Sequence, residues 1–332
     1  MSKIDGYHIE GTFPAVITPE TRLDYEQFIT SLLHNKDQVH QLLLKHGALL
    51  FRGFPVSGAG SFACVIETLG LGQFVNYIGG DSPRDRVEQK VYTSTEAPPS
   101  LHIPLHQELS YVKNHPRNIY FHCEIAAPVG GATIIGDARR IFEAIDPEVK
   151  HRFQERGLTY TSRYYHKSKV MAFVNRYQRS HKSWIEVFET PNKQDVEKQC
   201  IENEFAWRWL SRDWIEIKQI RPAMKSHPKT GENVWFNQAH LYDFNPKLLG
   251  WKNYIAAKMF YFRRSTLLHE IAFADGSPVP RKDLYHILDV LNENTVAYPW
   301  QSGDVMVLDN ILAMHGRAPF SGKRRVLTAL TS

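Results

Sequence analysis

The chain is poor in cysteine. It has three in 332 residues, Cys64, Cys123 and Cys200. An odd number without C-x-x-C spacing argues against a disulfide framework and a structural zinc site. Each is expected to be a buried apolar thiol. No apolar stretch reaches the length of a membrane span. Met1–Gly6 carries no apolar signal core, so a cytoplasmic, reducing compartment is expected, with no membrane partner. Concentrated basic charge is missing too. The net charge is +5, and Lys323-Arg324-Arg325 is the tightest basic cluster. That is too little for a nucleic-acid stripe. The 18 prolines and 20 glycines are dispersed, which leaves no low-complexity tract. G-x-S-x-G, P-loop and dinucleotide fingerprints are absent in suitable context, and so is H-E-x-x-H.

What is present is an ordinary globular composition, 42% hydrophobic and 23% charged, enough for a real core. The aromatic share of 12% suits a packed β-rich interior. Apolar spacing predicts a helix over 24–45, ended by His46-Gly47, and a buried strand over 48–54. A short helix over 59–70 closes at Gly70. Residues 75–102 are turn-rich. Strands are predicted over 119–124, 132–135, 304–309 and 324–330, with a short helix over 138–145. Segments 217–223 and 234–238 flank a turn at 226–232 with hairpin chemistry. Further helices are expected over 194–210, 254–272 and 281–292. No internal repeat is visible. Many short strands with Gly/Pro turns, and few helices, favour a mainly β fold with flanking helices, a jelly roll or barrel.

The stretch that stands out is Pro104-Leu105-His106-Gln107-Glu108-Leu109-Ser110-Tyr111. In an extended segment His106 and Glu108 share one face. Two histidines and one carboxylate on one face suit non-haem iron with three positions left open. His315, after the apolar run ending at Asp309 and expected at a turn, is the third candidate. A satisfied core histidine is the plainer reading of His106 alone. His102, His115 and His122 compete for the role. Pro104 interrupts the run toward His102, which reads as a surface or supporting residue.

From about Gly47 to its end the chain resembles the Fe(II)/2-oxoglutarate-dependent oxygenases of the taurine dioxygenase (TauD/TfdA) type, nearest the syringomycin-hydroxylase-like (SyrP-like) branch. The resemblance rests on Leu49-Leu50-Phe51-Arg52-Gly53-Phe54, Val91-Tyr92-Thr93-Ser94-Thr95-Glu96, Ile103 to Tyr111, Gly130-Gly131-Ala132-Thr133, Trp235-Phe236-Asn237-Gln238, and Leu308 through Arg325. It implies one oxygenase domain over 1–332. Its first hundred residues would be helical and stranded. A double-stranded β-helix (jelly-roll) core would run from about 101 to 330, with an insertion at about 160–300. It implies Fe(II) on His106, Glu108 and His315, with 2-oxoglutarate as cosubstrate and O2 as oxidant. Thr133 and Arg324 would hold the cosubstrate's distal carboxylate. Arg325 is the alternative, because only one of two adjacent strand residues can face the pocket. Thr133 could equally be an ordinary strand threonine. Trp235, Asn237 and Tyr111 are candidate substrate contacts, with core packing the rival reading for the aromatics.

The implied activity is oxidation, usually hydroxylation, of an unactivated C–H in an amino acid or an amino-acid-derived substrate, coupled to 2-oxoglutarate decarboxylation. The substrate would be free or tethered to an acidic carrier protein, in natural-product biosynthesis. Desaturation or cyclisation at the same site, and a non-catalytic metal-binding module, are the alternatives. Halogenation is disfavoured, because halogenases of this family replace the carboxylate ligand, and Glu108 is present.

Overall fold

A computed structural model of the chain describes residues 4–75, 86–88, 91–95, 97–166, 182–260 and 267–332. The fold is mainly β with flanking helices. An eight-stranded sheet has the order Tyr7–Glu10, Ala15–Pro19, Ala48–Phe51, Val305–Asp309, Asn118–Ile125, Arg325–Thr331, Val91–Thr93, Arg86–Glu88. A four-stranded sheet has the order Val296–Tyr298, Thr133–Asp137, Ala313–Arg317, Ile103–His106. One apolar cluster joins them: Leu50, Phe121, Leu308 and Leu330 from the first sheet, Leu105, Ile135 and Met314 from the second. Burial of such side chains is the main stabilising term, worth about 1.5–3 kcal/mol each. A second cluster packs the outer face of the large sheet against the N-terminal helices through Phe28, Leu42, Phe62 and Val307.

The expected helix over 24–45 is two helices, Tyr25–His34 and Lys36–His46. The break is Asn35, whose buried side chain donates to the carbonyls of Ser31 and Asp5. Such a side chain competes with the helical ladder. Gly47 then ends the second helix in the left-handed region at φ 74°, the usual solution at that position.

The sheet Ala206–Leu210, Trp214–Arg221, Leu158–Tyr164, His269–Phe273 holds two further differences. The helix expected over 194–210 stops at Glu202, and its tail is a strand pairing Trp207 with Ile217. The helix expected over 254–272 is Trp251–Phe260, while His269–Phe273 is a strand paired with Leu158–Ser162. Residues 261–266 lie outside the described set, as does part of the turn-rich 75–102 stretch. The helix at Arg281–Glu293 and the hairpin Met224–Ser226/Asn233–Trp235 are where the pattern puts them. Among the described residues no helix is long and apolar enough to cross a membrane.

Candidate metal and cosubstrate site

The two histidines are placed by a β-ladder. Strand Ala313–Arg317 pairs with Ile103–His106, and His315 stands directly opposite His106. Their ring centroids are 4.4 Å apart. The strands can approach this closely because residue 316 is glycine: a Cβ there would collide with the carbonyl of Ile103. The ladder is irregular at that point, between His315 and Arg317. His315 therefore sits inside a strand, not at the expected turn. The turn falls earlier, because the Asp309 carboxylate accepts the backbone N–H groups of Ile311 and Leu312 and folds the chain tightly there.

Glu108 reaches the same point by another route. The strand ends at His106, so the alternation that would put both side chains on one strand face does not operate. Glu108 lies in a turn, and Leu109 after it has φ 54°, rare for a residue with a side chain. Convergence survives: ligand atoms of His106, Glu108 and His315 all lie within 4.8 Å of one another. His315 Nε2 is 3.5 Å from Glu108 Oε2. Two ligand atoms about 2.1 Å from one ion and at right angles stand about 3 Å apart, so the spacing fits a metal. The donor chemistry fits as well. His106 Nδ1 faces the Pro104 carbonyl at 2.9 Å. A carbonyl only accepts, so Nδ1 carries the proton and Nε2 keeps its lone pair. Burial first, then the charge of His315, pushes the His106 imidazole down to about 3, which keeps it neutral and able to ligate.

Beside these three, one small cavity is lined by His106, His315, Phe121, Ser94, Thr133 and Arg324, among others. Arg324 enters just before the last strand. Its Nε donates to the Gly131 carbonyl at 2.9 Å and its Nη1 to Ser94 Oγ at 3.2 Å. No carboxylate among the described residues pairs with it. Burial, then the neighbouring Arg317 charge, lowers its guanidinium to about 10, and the group stays cationic at neutral pH. Such a site favours an anion. Arg325 points away and pairs with Glu124 at 2.7 Å, half-exposed. Thr133, buried at 3% exposure, accepts a hydrogen bond from Trp300 Nε1 at 3.1 Å.

The remaining candidates lie outside the lining of this cavity. Trp235 is fully buried and packs on Phe153, with ring centroids 5.2 Å apart. Asn237 spends its amide on the backbone, donating to Ala223 and accepting from Ala239. Tyr111 belongs to a buried aromatic cluster with Tyr160 and Tyr242. Two of the competing histidines have other partners. His122 Nδ1 meets the Asp304 carbonyl, and His115 Nε2 meets Lys225 Nζ at 2.6 Å.

Sequence reasoning missed several residues of this neighbourhood. Arg317, on the His315 strand, donates to the carbonyls of Ala97, Pro98 and Leu101 and lines the cavity. Its spacing of two from His315 was the available signal, since both then share a strand face. His240 is buried, its Nε2 on the Leu105 carbonyl at 2.9 Å; burial pushes it to about 4. Trp300 and Asn310 carried no local signal.

A model of the taurine catabolism dioxygenase TauD, TfdA family matches residues 8–331. The dapdiamide synthesis protein DdaC of Enterobacter agglomerans is 32% identical over 88% of this chain and 84% of its own length. A clavaminate synthase-like protein of Arabidopsis thaliana is 31% identical over 96% of this chain and 93% of its own length. Among solved structures, PvcB of Pseudomonas aeruginosa shares the fold at TM-score 0.53 and 13% identity, over 99% of this chain and 92% of that one. The chain thus belongs to the TauD/TfdA family and is an Fe(II)- and 2-oxoglutarate-dependent dioxygenase.

Proposed function

We propose that His106, Glu108 and His315 hold the iron and that Arg324 and Thr133 hold the distal carboxylate of 2-oxoglutarate. The observation that carries this is a partly buried guanidinium with no acid partner among the described residues, lining one cavity with the two histidines. Bound iron supplies, with 2-oxoglutarate and O2, the oxidising power for a C–H bond. The chain's own residues do the rest. Arg324 binds the carboxylate through its planar fork. The Thr133 hydroxyl has its lone pair engaged by Trp300, which leaves its proton for the same carboxylate. Phe121 and Ile103 give the cavity apolar walls that limit water at the reacting centre.

The two sheets with an apolar cluster between them read as the halves of a double-stranded β-helix, within one oxygenase unit over 1–332. The segment at about 160–300 is its insertion. The quoted motifs favour the SyrP-like branch. The substrate is an amino acid or a small amino-acid-derived molecule, and the reaction is hydroxylation within a biosynthetic route. Relatives named for dapdiamide synthesis and for likeness to clavaminate synthase support the biosynthetic role. The net charge of +5 leaves room for presentation on an acidic carrier protein. The test is a mass-spectrometric screen of free amino acids and carrier-bound aminoacyl groups for oxidation coupled to succinate formation. A mass gain of one oxygen on either supports hydroxylation. Loss of two hydrogens shows desaturation or cyclisation. Succinate released with no amino-acid-derived substrate oxidised rejects the substrate class.

A further inference from the structure

The ladder fixes His106 against His315, but nothing in it fixes Glu108, which lies past the strand's end. We infer that Asn310 is the positioning residue that sets the Glu108 carboxylate against the two histidines, an inference that rests on the metal site proposed above. Asn310 is fully buried. Its Oδ1 accepts the backbone N–H of Glu108 at 2.7 Å, and its Nδ2 donates to the backbone carbonyl of Glu108 at 2.9 Å. The second Nδ2 proton goes to the Pro116 carbonyl at 2.8 Å. One side-chain amide thus imitates a strand partner for a single residue in a turn, and both its ends are used. Turning the amide over would set like against like on both sides, so the chemistry admits one orientation.

Asn310 itself is held firmly. Its own N–H donates to the Arg117 carbonyl at 2.8 Å. Asp309 beside it accepts from Ile311 and Leu312, and its other oxygen faces His227 Nε2 at 3.0 Å. His227 Nδ1 accepts the Thr230 N–H, so Nε2 carries the proton and donates to Asp309. The turn so braced leads directly into the strand that carries His315. A single rigid turn therefore places one ligand through its chain and another through its amide. Gln107, between the first two ligands, is clamped from the opposite side: it donates to the Trp235 carbonyl at 2.6 Å, and its own carbonyl accepts from Gln238. Supporting partners of metal ligands are typically worth 10–100-fold in metal affinity or activity.

The experiment is anaerobic calorimetric titration of Mn(II) into wild-type, Asn310→Ala, Asn310→Asp, Glu108→Ala and Leu43→Ala proteins, with the Co(II) absorption spectrum and Tm of each. Leu43 lies in the N-terminal helical core, so Leu43→Ala reports a pure loss of stability. Asn310→Asp keeps the shape and the acceptor for the Glu108 N–H but loses both donors, so it remains a usable variant if the alanine protein does not fold. The expected result is Mn(II) affinity weakened about 10–100-fold in the Asn310 variants that fold, with an altered Co(II) spectrum. Leu43→Ala should keep the wild-type affinity despite a lowered Tm. Wild-type affinity and spectrum in a folded Asn310 variant, beside lost affinity in Glu108→Ala, would overturn the inference alone. Wild-type affinity in Glu108→Ala would remove the metal assignment beneath it.

Discussion

Trp300 donates its indole N–H to the hydroxyl of Thr133 at 3.1 Å, across 167 residues of sequence. Both residues are buried. A hydroxyl whose oxygen already accepts one bond can turn its own proton toward another acceptor. Trp300 thus decides which way Thr133 donates.

Trp300→Phe keeps most of the ring and removes that donor. A neutral hydrogen bond is worth about 0.5–1.5 kcal/mol, so the 2-oxoglutarate Kd should rise by roughly two- to tenfold with Mn(II) affinity unchanged. Titration calorimetry of both ligands checks this. An unchanged Kd for both Trp300→Phe and Thr133→Val would show that the pair does not touch the cosubstrate.

The two adjacent arginines separate cleanly. Arg324→Lys keeps the charge and loses the planar fork. Loss of a buried bidentate contact costs about 2–5 kcal/mol, so the 2-oxoglutarate KM should rise steeply. Arg325→Lys alters a half-exposed pair with Glu124, worth about 0–1 kcal/mol at most, and should change little. The reverse ranking in steady-state kinetics would move the cosubstrate contact by one residue.

The metal-free protein should lose stability in mild acid. Burial holds His106 at about 3 and His115 and His240 at about 4, below the ordinary value of about 6.5. Between pH 4 and 6.5 the unfolded chain therefore binds more protons than the folded one, and stability rises with pH through that window. The urea midpoint should be flat above about pH 7 and should fall between pH 6.5 and pH 5. A midpoint that is unchanged down to pH 5 would mean that these imidazoles are charged or solvated in the fold.

The candidate site was legible only where residue type and the family resemblance pointed to the same positions. His106-x-Glu108 alone is a weak signal; together with His315 it named three side chains whose ligand atoms do converge. Their placement was less legible. Alternation along a strand suggested a shared face for His106 and Glu108, yet the strand stops at His106. The groups that shape the turn beyond it, Asn310 and Gln238, lie 202 and 131 residues away from their partners in the chain. Local spacing cannot register such partners. The same holds for His269–Phe273, where pairing with Leu158–Ser162 overrides a run that reads as helix. The strand Ala206–Leu210 did carry a signal, since Trp207 and Trp209 alternate with Ala206, Arg208 and Leu210, but the preceding helical pattern obscured it.

The most direct test of the metal site is succinate formation from 2-oxoglutarate under saturating Fe(II) and O2, measured in wild-type, His106→Ala, Glu108→Ala and His315→Ala proteins of matched circular dichroism. Each substitution removes one of the three proposed ligands from a cluster whose donor atoms lie within 4.8 Å of one another. All three variants should stay folded and form almost no succinate. Near-wild-type succinate formation in the His315→Ala protein would contradict the assignment.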